Sequence, residues 1–453
     1  MKKILKISVF TILSAALITV FFMSCTGVGI FAVVAVSDKI DEGTLPEGLS
    51  AQPVMHITGS GDADNYLFFT SGPALWAKNR TTDSRWYYVP LIDSAGNTWD
   101  GIQSACVYND GTTDRIFLAL YKADSDNYTV RLFWFESFNA SARKITLNEV
   151  SGQPSWGSSS SGYQTLRLFS PAGSSDVFVN VLQHGNEYAS TDVTDKGFEG
   201  SDLYRLNTPA GTPSWSSTAV DTSTYLDDRY VTGIASSNGT DYLISSTRSF
   251  LDPDGGLLFS WDGSSSTSID YGSNVSVIGL KYLDISGWTT TGNNGAFIMT
   301  ATAKDNDGSL PMFASFDGSD GSWERVSGTS TDFLTTNFVN VSDYTAGQSD
   351  GKHLALAGTT SYIEKDGGTY DASGYNEINI TDDDISNWHV YTNWDDYSFA
   401  LPTNYSVSLL KESTIVGMSI QQVKGTDYLF ASTKLNGLWR IALNEDQPSW
   451  TRE

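Results

Sequence analysis

One short strand signal recurs seven times along this chain. It opens with a turn of Gly and small polar residues, often with an Asp, and continues as a run of aromatic and aliphatic residues. The clearest copies are Gly425-Thr426-Asp427-Tyr428-Leu429-Phe430 and Gly239-Thr240-Asp241-Tyr242-Leu243-Ile244, with related versions at 64–68, 114–117, 176–179, 295–298 and 352–356. Taking Leu67, Ile116, Phe178, Leu243, Phe297, Leu354 and Leu429 as equivalents, successive copies lie 49 to 75 residues apart. Such a spacing holds one four-stranded unit, which cannot bury both its faces alone and must stack on a neighbour. Radial stacking of these units is a β-propeller, and the number of copies predicts seven blades.

Each copy carries four beats. In the first they are Met55-His56-Ile57, Tyr66-Leu67-Phe68-Phe69, Leu75-Trp76-Ala77 and Trp86-Tyr87-Tyr88-Val89, within a blade expected over 54–90. The same order fits near 101–150, 163–220, 230–271, 275–327, 338–392 and 412–453. Asp262-Gly263 and Asp317-Gly318 follow third beats, where a hairpin turn is needed. The fourth beat often opens with a tryptophan (Trp156, Trp215, Trp323, Trp388, Trp450), read as a packing wedge between neighbouring sheets. In the second copy, both 143–147 and the strand after Trp156 could be the outer strand, which leaves six or eight blades open. No long segment after residue 40 has helical periodicity, and aromatics at 13% with 41 Gly suit pleated surfaces and tight turns, so the fold class is all-β.

The formal net charge is −25, and residues 1–24 hold three lysines and no acid, so the rest of the chain carries −28. That surface repels phosphate backbones and argues against nucleic acid as a partner. Surplus acid is also what keeps a Ser/Thr-rich exported protein in solution.

Lys2, Lys3 and Lys6 precede an apolar run from Val9 to Phe22, followed by Met23-Ser24-Cys25. A basic start, an apolar core and a small residue before the cut describe an export signal. Cys25 directly after Ser24 resembles the lipobox of bacterial lipoproteins, in which that Cys becomes the lipidated first residue. Phe22 and Met23 stand where Leu and then a small residue are usual, so the lipobox is a relaxed one. The resemblance implies a signal peptide over 1–24, a lipidated Cys25 with a tether over 25–53, and a propeller body over 54–453. The same plan is found in propeller lipoproteins of the bacterial envelope, which implies a body in the periplasm or on the cell surface, held to the membrane by lipid. The apolar stretch from Val9 to Val36 spans 28 residues, long enough to cross a bilayer as an uncleaved anchor, and that alternative stays open. The other cysteine, Cys106, lies in an expected inner strand and reads as a buried, inert thiol.

The motifs that could carry chemistry have structural readings. The turns at Gly96-Asn97-Thr98-Trp99 and Gly321-Ser322-Trp323 resemble degenerate Asp-boxes of sialidase propellers, with Ser94 and Ser319 where the Asp would stand. A sialidase also needs a cluster of three Arg, and the twelve here are scattered. Gly347-Gln348-Ser349-Asp350-Gly351 matches a nucleophile elbow as text, but precedes a strand in an all-β repeat. His56, His184, His353 and His389 lack zinc-ligand spacing. Asp252-Pro253-Asp254-Gly255 and Asp305-Asn306-Asp307-Gly308 start like calcium loops but have no late Glu, so turn chemistry accounts for them. No catalytic residue, metal ligand or cofactor is assigned.

Insertions in a repeat mark loops on one face, often the binding face. The longest runs from Gln183 to Asp202 and contains His184, Glu187, Tyr188, Asp192, Asp195 and Phe198. A second spans Glu364 to Tyr375, and the link before the last copy carries Trp394, Asp395, Asp396 and Tyr397. These residues are the candidate partner site. The sequence thus predicts an exported, lipid-anchored propeller acting as a non-enzymatic binding module for an envelope protein or glycan. A glycan-acting enzyme, sialidase-like or another glycosidase, is the alternative.

Overall fold

In the computed structural model the described residues are 53–453 apart from 125–126, 160–161, 173, 186–197, 222–223, 228, 248–255, 274–276, 286–294, 302–310, 327–334, 341–351, 359–360, 364–368, 372–374, 381–382, 392–414, 434–436 and 444–449. Cys25 and the tether therefore lie outside them, as do 252–255, 305–308 and 347–350.

The described elements are strands and short 3-10 turns. Met55–His56, Tyr66–Ser71, Ala74–Asn79 and Tyr87–Val89 form a four-stranded antiparallel sheet. Four more sheets of the same up-and-down plan occupy 229–268, 277–325, 335–391 and 415–452. Between the first sheet and these lies a nine-stranded sheet, built from 101–159 and 162–221. All seven recurrent positions, Leu67 to Leu429, fall in the strand second from the inner edge, and every one is 0% exposed.

Their burial explains the apolar run of the repeat, because the second strand is covered on both faces and loses the polar half of its alternation. Leu67 and Phe69 pack toward the last sheet, with Val423, Phe430 and Leu438, whereas Phe68 packs toward the nine-stranded sheet, with Ile116 and Leu118. Phe297 and Met299 join Tyr242 and Ile244 of the preceding sheet, while Ala296 and Ile298 join Leu354 and Trp388 of the following one. Phe178 and Leu203 meet Val231 and Leu243, and Thr335–Asn340 lies against Ile415–Val423. Each sheet is thus sandwiched between two others, and the first meets the last. The fold is a β-propeller.

Side chains reach across to hold each sheet against the next. The outer edge of a first strand carries backbone groups with no strand partner, and these need donors and acceptors from elsewhere. Leu166 N–H donates to Gln103 Oε1 at 3.0 Å and Leu168 N–H to Ser104 Oγ at 3.0 Å. Val231 N–H donates to Oδ1 of the fully buried Asn180 at 3.0 Å. Val54 O accepts from Ser419 Oγ and Gln421 Nε2 at 2.9 and 3.0 Å, which joins the first sheet to the last.

The second copy is where the sequence left two outer strands in contention, and both are used. Asn148–Glu149 pairs with Trp134 and Phe133, and Trp156 and Gly157 pair with Val130 and Thr129 of the same strand. Between them the Gln153 side chain takes the place of a strand, accepting from Leu132 N at 2.7 Å and donating to Leu132 O at 3.0 Å. Ser158 and Ser159 then pair onward with Tyr163 and Gly162, which merges the two units into one sheet. Residues 144–145 turn away into a small side sheet with Ser137–Asn139 and Ser60–Gly61. Gly59 lets the first sheet's loop approach: a Cβ there would sit 1.9 Å from Glu136 O.

The fourth-beat tryptophans pack as wedges. Trp156, Trp323, Trp388 and Trp450 are buried, and Trp156 meets the half-buried Trp215 edge-on at 4.8 Å. Asp262 closes its hairpin by accepting from Ser264 N and Ser265 N, both at 2.9 Å, with Gly263 at φ 94°. Those bonds hold the Asp262 carboxyl down at about 2. Cys106 is half-buried against the core between the two units of the nine-stranded sheet, and burial pushes its thiol pKa up, which disfavours the reactive thiolate.

Candidate functional site

Antiparallel pairing fixes which end of the ring each loop leaves from. Gly185, at the end of one second strand, pairs with Gly162 at the start of its inner strand, and Gly358 likewise pairs with Thr335. The segments after Gly185 and Gly358, and the link that ends at Ile415, therefore leave from one end of the ring. His184 pairs with Tyr163 and Phe198 across the strands that bracket the first insertion. The second insertion begins as a hairpin, Ser361–Ile363 with Thr369–Asp371. Glu187, Tyr188, Asp192, Asp195, Trp394, Asp395, Asp396 and Tyr397 lie outside the described residues.

Arg229 opens an inner strand at this same end. Its backbone O accepts from Ser201 Oγ at 2.7 Å, and Ser201 follows the first insertion. Burial lowers the guanidinium pKa, and Arg229 Nη1 is buried without a hydrogen-bond partner among the described residues.

The other half of the channel holds a cavity of about 550 Å³. Inner strands build it, with Phe169, Thr232 to Ser236, Gly279 to Leu283, Val339 and Ile420 in its wall. A second cavity of about 670 Å³ adjoins it through Ser170, Pro171 and Ala172 and reaches the turn at Asn109 to Gly111. These residues follow the inner strands, so both cavities lie toward the end opposite the insertions.

Two cations sit along the inner strands. Strand alternation sends Leu280 and Tyr282 into the core shared with the preceding sheet and Leu283 toward the following one. Lys281 has the parity of Leu283 and lines the cavity. Its amine is deep within the ring although part of its side chain meets the channel, and burial brings its pKa down to about 8. Arg167 lies over Phe169 and Tyr230, 5.6 and 5.4 Å from the ring centroids, and donates to Val231 O at 3.1 Å. Burial lowers its pKa as well. Sequence reading passed over Arg167, Arg229 and Lys281; the only signal was a lone cation inside each inner strand of a strongly acidic chain.

The turns that resemble Asp-boxes are structural. Asp93, one residue before Ser94, accepts from Ala95 N, Asn97 N and Trp99 Nε1 at 3.0, 2.8 and 3.3 Å. Asp317 does similar work for Ser319 N at 2.9 Å, and Trp323 Nε1 donates to Gly318 O at 3.3 Å. Among the described residues no group of His, Cys, Asp and Glu could hold a metal ion.

No protein-family model matches the chain, and no curated protein matches it by sequence. Several solved structures are similar in fold. An oligogalacturonate lyase in complex with manganese matches at 9% identity over 87% of this chain and 91% of that one, with a TM-score of 0.43. The six-bladed fungal lectin of Aleuria aurantia matches at 10% identity over 80% and 100%, with a TM-score of 0.35. The Nup133 β-propeller domain of Vanderwaltozyma polyspora matches at 9% over 88% and 97%, at 0.38.

Proposed function

We propose that the chain is an exported, lipid-anchored propeller of seven blades that works as a non-enzymatic binding module at the bacterial cell envelope. The count takes the nine-stranded sheet as two blades joined through Trp156–Ser159. Residues 1–24 are the signal, 25–53 carry the lipidated Cys25 and the tether, and 54–453 form the ring. The partner, an envelope protein or a glycan, docks at the end of the ring from which the insertions leave.

One observation carries this reading. Strand polarity brings together the strand ends that bracket 186–197, 359–374 and 392–414, and these are the places where the repeat departs from its minimum. The buried, unpartnered Arg229 Nη1 at that end adds a donor suited to a partner's oxygen. Tyr188 and Trp394 supply aromatic contact area of the kind that dominates binding energy. His184, Glu187, Asp192, Asp195, Phe198, Asp395, Asp396 and Tyr397 supply the selectivity around them.

The experiment is a binding screen of the full chain against glycans, peptides and envelope proteins, followed by Tyr188→Ala and Trp394→Ala against the partner found. Each substitution should weaken binding by roughly 2 kcal/mol or more without lowering the melting temperature. Unchanged affinity in both would remove this end of the ring as the site. Turnover of a glycan in the screen would instead favour the enzymatic alternative.

A further inference from the structure

The channel half away from the insertions has a chemistry of its own. Its cavity, about 550 Å³, falls in the size range of small-molecule pockets, roughly 300–1,000 Å³. Its described wall is apolar, with Ser170, Thr232 and Ser236 as hydroxyls, Lys281 as the cation, and no carboxylate among the described lining residues. For a chain of net charge −25 that is an inversion of the surface. A low-dielectric channel lined by one sign of charge focuses the field on an ion of the other sign. Arg167, stacked on the cavity's own Phe169, adds a second positive charge beside it.

We propose that this cavity binds a small organic carboxylate, with the anionic end at the Lys281 ammonium and the apolar body among Phe169, Leu283, Val339 and Ile420. One ammonium flanked by hydroxyls matches a monoanion; a phosphate dianion would call for more donors. The aliphatic and aromatic wall offsets the cost of taking the ligand's body out of water. Burial leaves the lysine less well solvated than a surface amine, so a counter-charge gains more there than it would in water. The enclosed volume suits a free small acid and excludes a folded partner.

The test compares phenylacetate with phenylacetamide, which share a body and differ in charge, by calorimetric titration of the full chain. The carboxylate should bind about tenfold more tightly than the amide, as a charge-assisted bond exceeds a neutral one. Lys281→Met should bring the two to parity, Lys281→Arg should keep the preference, and Ile420→Trp should weaken both by filling the cavity. Equal affinities on the unaltered chain, no binding of either compound, or a preference that survives Lys281→Met would each overturn the proposal. The comparison on the unaltered chain needs no variant, so a Lys281→Met protein that fails to fold does not spare it.

Discussion

Arg440 grips Asp83 through two hydrogen bonds of 2.9 Å each, although the residues lie 357 positions apart in the sequence. Asp83 follows the third strand of the first sheet, and Arg440 sits in the third strand of the last. Around them Lys78 bonds both Asp83, at 2.7 Å, and Glu453, and Trp86 Nε1 donates to Glu453 Oε2 at 2.8 Å. Arg440 Nε also comes within 2.6 Å of Glu453 Oε1, as an ion pair without hydrogen-bond alignment. Two cations and two carboxylates thus fasten the seam at which the ring closes. Each last-sheet strand is supplied from 415–452, so the seam depends on side chains and shared core, with no strand exchanged across it.

Breaking this cluster should open the ring at that seam. Glu453→Gln leaves two buried cations with one carboxylate, and Asp83→Asn does the same from the other side. Removing one partner of a buried pair costs about 3–5 kcal/mol, and Asp83, being partly exposed, should fall below that range. Denaturant unfolding would measure the loss, and hydrogen exchange would show amides of 66–79 and 426–442 losing protection first. Uniform loss of protection around the ring would contradict the seam as the weak point. Acid should act in the same direction. Burial alone would raise the Asp83 pKa, but the Arg440 and Lys78 hydrogen bonds outweigh it and hold the carboxyl well below the usual range. Its contribution is therefore complete above the ordinary carboxylate pKa and is lost as pH falls toward the depressed folded value.

The scaffold was legible because its signal is local and repeated. Leu67 and its equivalents sit in strands covered on both faces, and such burial writes itself as an apolar run. Trp156 and Trp323 were legible for a similar reason, since their place in the blade recurs. The divided outer edge of the second unit was not, because a Gln153 amide completing a strand edge has no periodicity. Lys281 and Arg167 escaped notice because alternation alone sends a charged residue in a strand to solvent, and only ring closure turns that solvent into a channel. Of the expected partner site, the pairing of His184 with Phe198 is on the described strands, while its loop residues fall outside them.

Trp323 separates wedge from surface. It is 6% exposed and packs on Phe297 at 6.1 Å between two sheets, so Trp323→Ala should cost about 3–5 kcal/mol in a denaturant melt. Tyr88, 41% exposed, touches Trp76 edge-on at 6.1 Å, and Tyr88→Ala should cost no more than about 1 kcal/mol. Comparable losses in the two would mean that the fourth-beat tryptophans are not inter-sheet wedges.

The anchor is tested by Cys25→Ala expressed in a bacterium and followed with a fatty-acid label. With the lipid on Cys25, the variant should accumulate as unprocessed precursor and take up no label. Label retained by the variant would count against the lipoprotein reading and leave the apolar stretch from Val9 to Val36 as a spanning anchor.

Asp241, the acid of the repeat's turn, gives a pH dependence of opposite sign to Asp83. It is 5% exposed and bonded to Ser236 Oγ, and burial raises its pKa to about 6, with Asp176 adding to the rise and Arg205 working against it. The folded chain therefore holds a proton that the unfolded chain has released between about pH 4 and 6, and stability from this site falls as pH rises through that window. Above pH 6 the ionised carboxylate stays buried, a penalty of about 2–3 kcal/mol for a shift of this size. Asp241→Asn keeps the shape and removes the charge. It should flatten the loss between pH 4 and 6 and stabilise the chain at pH 7 by about 1–3 kcal/mol, less whatever the Ser236 bond loses. Chemical denaturation at pH 4.5 and pH 7 on both proteins reads the effect directly. A variant less stable than the parent at pH 7 by as much as at pH 4.5 would show that the carboxylate contributes through its hydrogen bond alone, and that its burial carries no charge penalty.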